Sequence, residues 1–162
     1  MKNACAFIGL MLALIACNSR PAKDPLVQLV DTTMQLKGGR EFDSSHLTLV
    51  GRYEGVLPCA DCGGIKTELT LYQDISNDEN NVYVLKETYL TDNTGDTAFT
   101  SQGKWDVLKG VEGNDTATVF FLNYDEPEDA RYFLQAGTDI LLLDKEQKVI
   151  ESNLNYTLRR KE

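Results

Sequence analysis

Two cysteines three positions apart, Cys59 and Cys62, are the residues of this sequence best suited to chemistry. They lie in the stretch PCADCGG, residues 58–64. Such a pair can be a reactive dithiol, a disulfide, or two ligands for a soft metal ion. A thioredoxin-like oxidoreductase is disfavoured, because the motif leads through two glycines into a strand and Asp61 opposes a thiolate. A structural disulfide and a metal- or redox-responsive site remain as alternatives.

Copper is the metal that this pair would suit, since two thiolates match a soft ion such as Cu(I). After residue 17 the chain adds one histidine, His46, and one methionine, Met34. A tetrahedral zinc site with four Cys or His ligands cannot be built from this set. A metal site is therefore expected at Cys59 and Cys62 or not at all.

The N-terminal residues read as a lipoprotein signal peptide. Lys2 precedes an apolar run over residues 4–16, and the run ends in LIAC at Cys17. About 13 apolar residues fall short of the roughly 20 needed to span a bilayer. We expect cleavage after residue 16 and diacylation of Cys17, which supplies the two chains that stable membrane attachment requires.

Export beyond the cytoplasm places Cys59 and Cys62 in an oxidising space, where a disulfide is expected. Residues 17–45 form the lipidated cysteine and a polar tether, with a short helix possible over residues 26–36. A single globular domain is expected over residues 46–162.

The composition excludes some functions. The chain has 25 acidic and 16 basic residues and a formal net charge of −9. An acidic chain without a basic patch is a poor nucleic-acid binder, so attachment to the membrane should come from the lipid. No set of residues has the pattern of a catalytic site, since Ser44-Ser45-His46 lacks a positioned acid. We therefore expect a protein that is not an enzyme.

Alternation of apolar and polar residues predicts an all-β fold after the tether. Turn residues separate short strands, and no helical segment long enough for a parallel crossover lies between them. Eight strands in sequence order would close into a small antiparallel meander barrel. The strands are predicted at residues 47–56, 65–72, 82–91, 97–107, 116–124, 130–135, 140–144 and 153–159. Large residues that could fill its interior are Phe99, Trp105, Phe120 or Phe121, and Leu141 or Leu143.

The segment YEGVLPCADCGGIKTEL, residues 53–69, closely resembles the N-terminal domain of the NlpE lipoprotein family, whose motif reads Y-x-G-x-L-P-C-A-D-C-x-G-I-x-T-x-L. Further matches are Gly103-Lys104-Trp105 and residues 132–144 and 150–158. The resemblance covers nearly all of the predicted domain.

This resemblance implies an outer-membrane lipoprotein with a lipocalin-like barrel, linked to copper tolerance, surface adhesion and activation of a Cpx-type envelope stress kinase. Cys59 and Cys62 fall on the family's C-x-x-C, its proposed metal or redox site, and Cys17 falls on its lipidated cysteine. Longer members add an OB-like domain with its own cysteines, which this sequence does not contain. A signalling role that depends on that domain is not expected here.

The preferred interpretation is a non-enzymatic envelope lipoprotein that takes part in copper, redox or envelope stress through its cysteine loop. One alternative is a lipocalin-like carrier that holds a small apolar ligand in the barrel. Another is a structural adaptor for an envelope partner. An inner cavity would favour the carrier, and a packed core with an exposed cysteine loop would favour the sensor or adaptor.

Overall fold

The structure is a computed structural model that describes residues 46–91 and 95–162. The predicted signal peptide, Cys17, Met34 and the helix at residues 26–36 lie outside these ranges. Within them, no helix has the length and apolar character that a membrane crossing demands. The strands are β1 (Leu47–Leu57), β2 (Gly64–Asp74), β3 (Val82–Leu90), β4 (Thr97–Val111), β5 (Asn114–Leu122), β6 (Arg131–Ala136), β7 (Asp139–Leu142) and β8 (Thr157–Lys161).

The strands form a closed antiparallel barrel in sequence order, with each strand paired to the next one along the chain. The barrel closes where β8 pairs with β1, as Arg160 lies opposite Tyr53. The all-β meander barrel expected from the alternating pattern is thus confirmed. Two three-residue 3-10 turns, Asp78–Asn80 and Pro127–Asp129, lie in the connections between strands.

For the strand predicted at residues 153–159, the predicted start is wrong, because β8 begins at Thr157. Asn155 explains the delay: its side-chain amide donates to the carbonyl oxygens of Val56 (2.9 Å) and Thr157 (3.2 Å). Its side-chain oxygen also accepts the Thr157 N–H. These bonds hold the preceding residues as a loop against the end of β1.

The core fills much of the barrel with aromatic and aliphatic side chains. Trp105 and Phe120 meet edge to face with ring centroids 5.7 Å apart, and both are buried. Phe121 lies on the opposite face of β5, where it stacks on Tyr132 at 4.7 Å. The buried core cluster comprises Tyr53, Leu57, Leu69, Leu71, Tyr83, Leu85, Trp105, Phe120, Leu122, Phe133, Ile140 and Leu158.

Two expectations about the core need correction. Phe99, one of the residues that could have filled the interior, is 60% exposed and contacts Tyr89 edge to face at 5.8 Å. In β7 the core residue is Ile140, with Leu142 packed against the cluster. Leu141 is on the other face of that strand, and Leu143, just after its end, is buried outside the core cluster.

Trp105 marks the point at which β4 changes its partner. Residues 97–104 pair with β3, whereas pairing with β5 starts at Trp105 opposite Leu122. The indole N–H lies 2.9 Å from the carbonyl oxygens of both Tyr72 and Val82. One buried donor therefore joins β4 to the ends of β2 and β3.

Replacing Trp105 with Phe should destabilise the barrel by about 1–3 kcal/mol, because two buried carbonyls lose their indole donor while the aromatic contact with Phe120 is kept. Urea unfolding measures this loss. Phe99→Leu on the same strand is the control, and we expect it to stay within about 0.5 kcal/mol of the parent because Phe99 is exposed. Equal losses for the two variants would contradict this assignment.

Candidate functional site

Cys59 and Cys62 form a disulfide in the loop between β1 and β2. The sulfur atoms are 2.06 Å apart and the Cα atoms 5.4 Å apart. Both cysteines are half-buried, whereas Ala60 and Asp61 between them are exposed. The disulfide expected from the predicted compartment is therefore present in the structure.

Glycine holds the base of this loop. Gly64 has a φ of +138°, and a Cβ there would lie 2.6 Å from Cγ1 of Val56. A side chain at that position would therefore be strained by both backbone and contact. The Gly63 N–H donates to the carbonyl oxygen of Leu90 at 2.9 Å, which ties the loop to the end of β3.

The described residues around the disulfide offer few further ligands. Cys62 Sγ lies 3.3 Å from the carbonyl oxygen of Gly64. In the disulfide this is a close contact, and a reduced Cys62 could donate its S–H there. His46 precedes β1, and the eleven residues of that strand separate it from the loop by roughly 30 Å. His46 therefore cannot join the cysteines as a ligand.

In the described residues, no group of three or more His, Cys, Asp or Glu side chains is placed to hold a metal ion. Cys59 and Cys62 would hold copper at this loop only after reduction of the disulfide, and two thiolates suit a soft ion such as Cu(I).

A cavity of about 990 Å³ opens in the wall of the barrel, away from the cysteine loop. Its sides are residues 101–104 of β4 and the loop and strand start at residues 123–132. The volume is at the upper end of the range for small-molecule pockets. Leu85 and Leu142 contribute apolar surface, but the lining also contains many charged groups.

An ion pair crosses this cavity and was not anticipated from the sequence. Arg131 on β6 donates to both carboxylate oxygens of Glu87 on β3, at 2.7 and 3.1 Å. Burial alone would lower the pKa of Arg131, but the hydrogen bonds and charge of Glu87 more than offset it, and the pKa is raised. The signal in the sequence is that both charged residues occupy inward positions of their strands.

A second polar contact lies beside the ion pair. The Tyr83 hydroxyl donates to the side-chain oxygen of Asn123 at 2.7 Å, which joins β3 to the chain just after β5. Burial raises the pKa of Tyr83, so this hydroxyl stays protonated and able to donate. Together these contacts make the cavity polar on one side, which does not suit a small apolar ligand.

The profile of the NlpE N-terminal domain matches residues 53–153. The lipoprotein NlpE of Escherichia coli (strain K12) is 36% identical over 106 residues, which cover 65% of this chain and 39% of that protein. The crystal structure of the Cpx pathway activator NlpE from Escherichia coli matches at 30% identity, with a TM-score of 0.43, and covers 71% of this chain and 53% of that chain.

The fold and site define a small closed antiparallel barrel with a disulfide loop at one end. With the profile matching more than half of its residues, this chain belongs to the NlpE family through that family's N-terminal domain. It spans 39% of the length of the curated Escherichia coli relative.

Reduction of the disulfide should leave the barrel folded. A loop closed over four residues contributes about 2 kcal/mol in the chain-entropy model, and the core cluster does not include either cysteine. Urea unfolding with and without dithiothreitol measures the difference, and the Cys59→Ser, Cys62→Ser double variant controls for the reductant. Loss of the β-sheet circular dichroism signal on reduction alone would contradict this expectation.

Proposed function

We propose that this chain is a non-enzymatic lipoprotein of the bacterial outer membrane, anchored by lipid on Cys17, that takes part in the response to copper or redox stress. The observation that carries this proposal is the disulfide of Cys59 and Cys62 in a loop outside the core. Its sulfur atoms can change state while the barrel keeps its packing. The membership of the NlpE family supports an envelope location.

The loop can act as a two-state element. A dithiol reductant of the envelope transfers two electrons and two protons to the disulfide, which yields two thiols and leaves the reductant as a disulfide. The thiols then lose their protons when they take a soft cation, so Cys59 and Cys62 together would hold one Cu(I). The exposed residues Ala60 and Asp61 would move with them and change the surface that a partner meets.

An envelope stress kinase is the partner that the family relationship favours, since the related Escherichia coli protein is a Cpx pathway activator. The carrier of an apolar ligand is less well supported, because Glu87 and Arg131 line the cavity. An adaptor role is compatible with the cysteine loop, which is exposed at its tip.

The lipid anchor is tested at Cys17. The Cys17→Ala variant should no longer fractionate with membranes, because an unacylated chain lacks the two-chain anchor. Mass spectrometry of the wild-type N-terminus should show a diacylated cysteine at residue 17, and Cys5→Ala is the control that keeps the anchor. An unmodified Cys17 in the wild-type protein would refute this part of the proposal.

The role of the cysteine loop is tested by the Cys59→Ser, Cys62→Ser double variant in the native bacterium. Copper tolerance should fall, because the two thiolates that could hold Cu(I) are gone. Growth on graded copper measures tolerance, immunoblots confirm equal export, and Ala60→Ser in the same loop is the matched control.

Titration of the reduced chain with Cu(I) completes this test. We expect one equivalent to bind to the parent and to Ala60→Ser, and none to the double variant. Two results together would refute this role: the double variant tolerates copper like the parent, and the reduced parent binds Cu(I) no better than the double variant does. The disulfide would then be structural, and the adaptor interpretation would replace the copper or redox role.

A further inference from the structure

The first half of β4 has an open hydrogen-bonding edge. Residues 97–104 pair with β3 on one side, and β5 pairs with β4 from Trp105 onward. In the described part of the chain, no strand pairs with residues 97–104 on the other side. Residues 97–101 are exposed on both faces of the sheet. The edge is therefore accessible from solvent.

The register shows which backbone groups lie along this edge. The Trp105 N–H donates to the carbonyl of Asn81, so the bonds between β4 and β3 recur at every second residue from Trp105. The backbone groups of the residues between these positions point away from β3. The carbonyl of Lys104 is an example, since it accepts a hydrogen bond from the Asn123 N–H at 2.8 Å. The residues whose N–H and C=O groups face the open edge are thus Ala98, Thr100 and Gln102.

Between Asp96 and Lys104, this edge lacks the features that usually protect edge strands. Residues 97–103 read TAFTSQG, without a charge or a proline, although both are common devices against strand addition. Phe99 is 60% exposed on the same segment. A neutral, open strand with an exposed aromatic side chain is suited to pairing with another extended segment.

The opposite side of the cavity is mainly acidic, although Lys104, Lys145 and the paired Arg131 also line the cavity. The loop at residues 123–130 carries four carboxylates within five positions, and all of them line the cavity with Gln102. An extended segment that paired with β4 would run between the open edge and this loop. The charge of the loop favours basic side chains on such a segment. The four carboxylates belong to Asp125, Glu126, Glu128 and Asp129.

We propose that an extended polypeptide segment with basic side chains binds as an added strand on the open edge of β4 and enters this cavity at Gln102. Backbone bonds to Ala98, Thr100 and Gln102 would hold the segment, and the acidic loop would select its charge. This interaction is separate from the cysteine loop and does not depend on its chemistry.

The test uses the chain from Asn18 onward and a nine-residue capped peptide that alternates lysine with threonine and valine. Hydrogen exchange followed by NMR should show that the peptide protects the amides of Ala98, Thr100 and Gln102. The amides of Phe99 and Ser101 should be protected in the absence of peptide as well, because they already bond to β3. This alternation is specific to strand addition.

Variants of both partners separate the backbone and charge contributions. Thr100→Pro, which removes an edge-facing N–H, should weaken binding about tenfold, whereas Thr100→Val, which keeps it, should bind like the parent. A peptide N-methylated at alternate residues should lose binding to the unaltered chain, so the test holds even if the proline variant fails to fold. A peptide with glutamate in place of lysine should bind at least about tenfold more weakly.

The acidic loop has its own matched pair of variants. Asp125→Asn with Glu128→Gln should weaken lysine-peptide binding several-fold, and Asp78→Asn with Glu79→Gln, outside the cavity, should not change it. Equal binding of the N-methylated peptide would overturn the proposal. Protection of the Thr100 amide without peptide would also overturn it, because the edge would then already be paired. The partner would be another part of the chain or a second copy, and sedimentation detects the second copy. Equal binding of the glutamate peptide would overturn the basic character of the partner.

Discussion

The change of partner along β4 is the constraint on which much of this structure depends. One continuous strand must pair with β3 over its first half and with β5 over its second half. The chain changes partner beside Trp105, where a single indole N–H bonds to carbonyls at the ends of β2 and β3. Because β5 joins only from that point, the wall of the barrel stays open beside residues 97–104. The cavity and the unpaired edge are both consequences of this one junction.

The junction also explains the polar contacts inside the barrel. Where β5 is absent, β3 would face a gap across the interior. Arg131 at the start of β6 bonds to Glu87 across that gap. Next to this pair, the Asn123 side chain accepts a hydrogen bond from the Tyr83 hydroxyl. A half-buried ion pair is costly unless both oxygens and both donors are satisfied, and here the pairing is bidentate. These contacts connect the two halves of the barrel where backbone pairing does not.

Much of the fold could be predicted from alternation and turn residues, and the cysteine loop from the spacing of Cys59 and Cys62. Alternation assigns a residue to a face of its strand, but it does not show whether the opposite wall is present. For that reason alternation could not show that Phe99 is exposed. The start of β8 depends on a bond between Asn155 and Val56, which are 99 residues apart, and no local pattern contains that information. The pairing of Glu87 with Arg131 is equally nonlocal, although a charge at an inward position marks each residue as unusual.

The seam between β1 and β8 has a consequence for the order of folding. It consists of three residue pairs, at Arg52, Tyr53 and Glu54, and their partners are the last residues of the final strand. All the other strand pairs join strands that are consecutive in the sequence. Most of the sheet can therefore form from local hairpins at a low entropy cost of loop closure. The seam joins positions more than a hundred residues apart, as the contact between Arg160 and Tyr53 illustrates. During synthesis, the edge of β1 that pairs with β8 therefore stays unpaired until β8 has emerged from the ribosome. Only then can the barrel close.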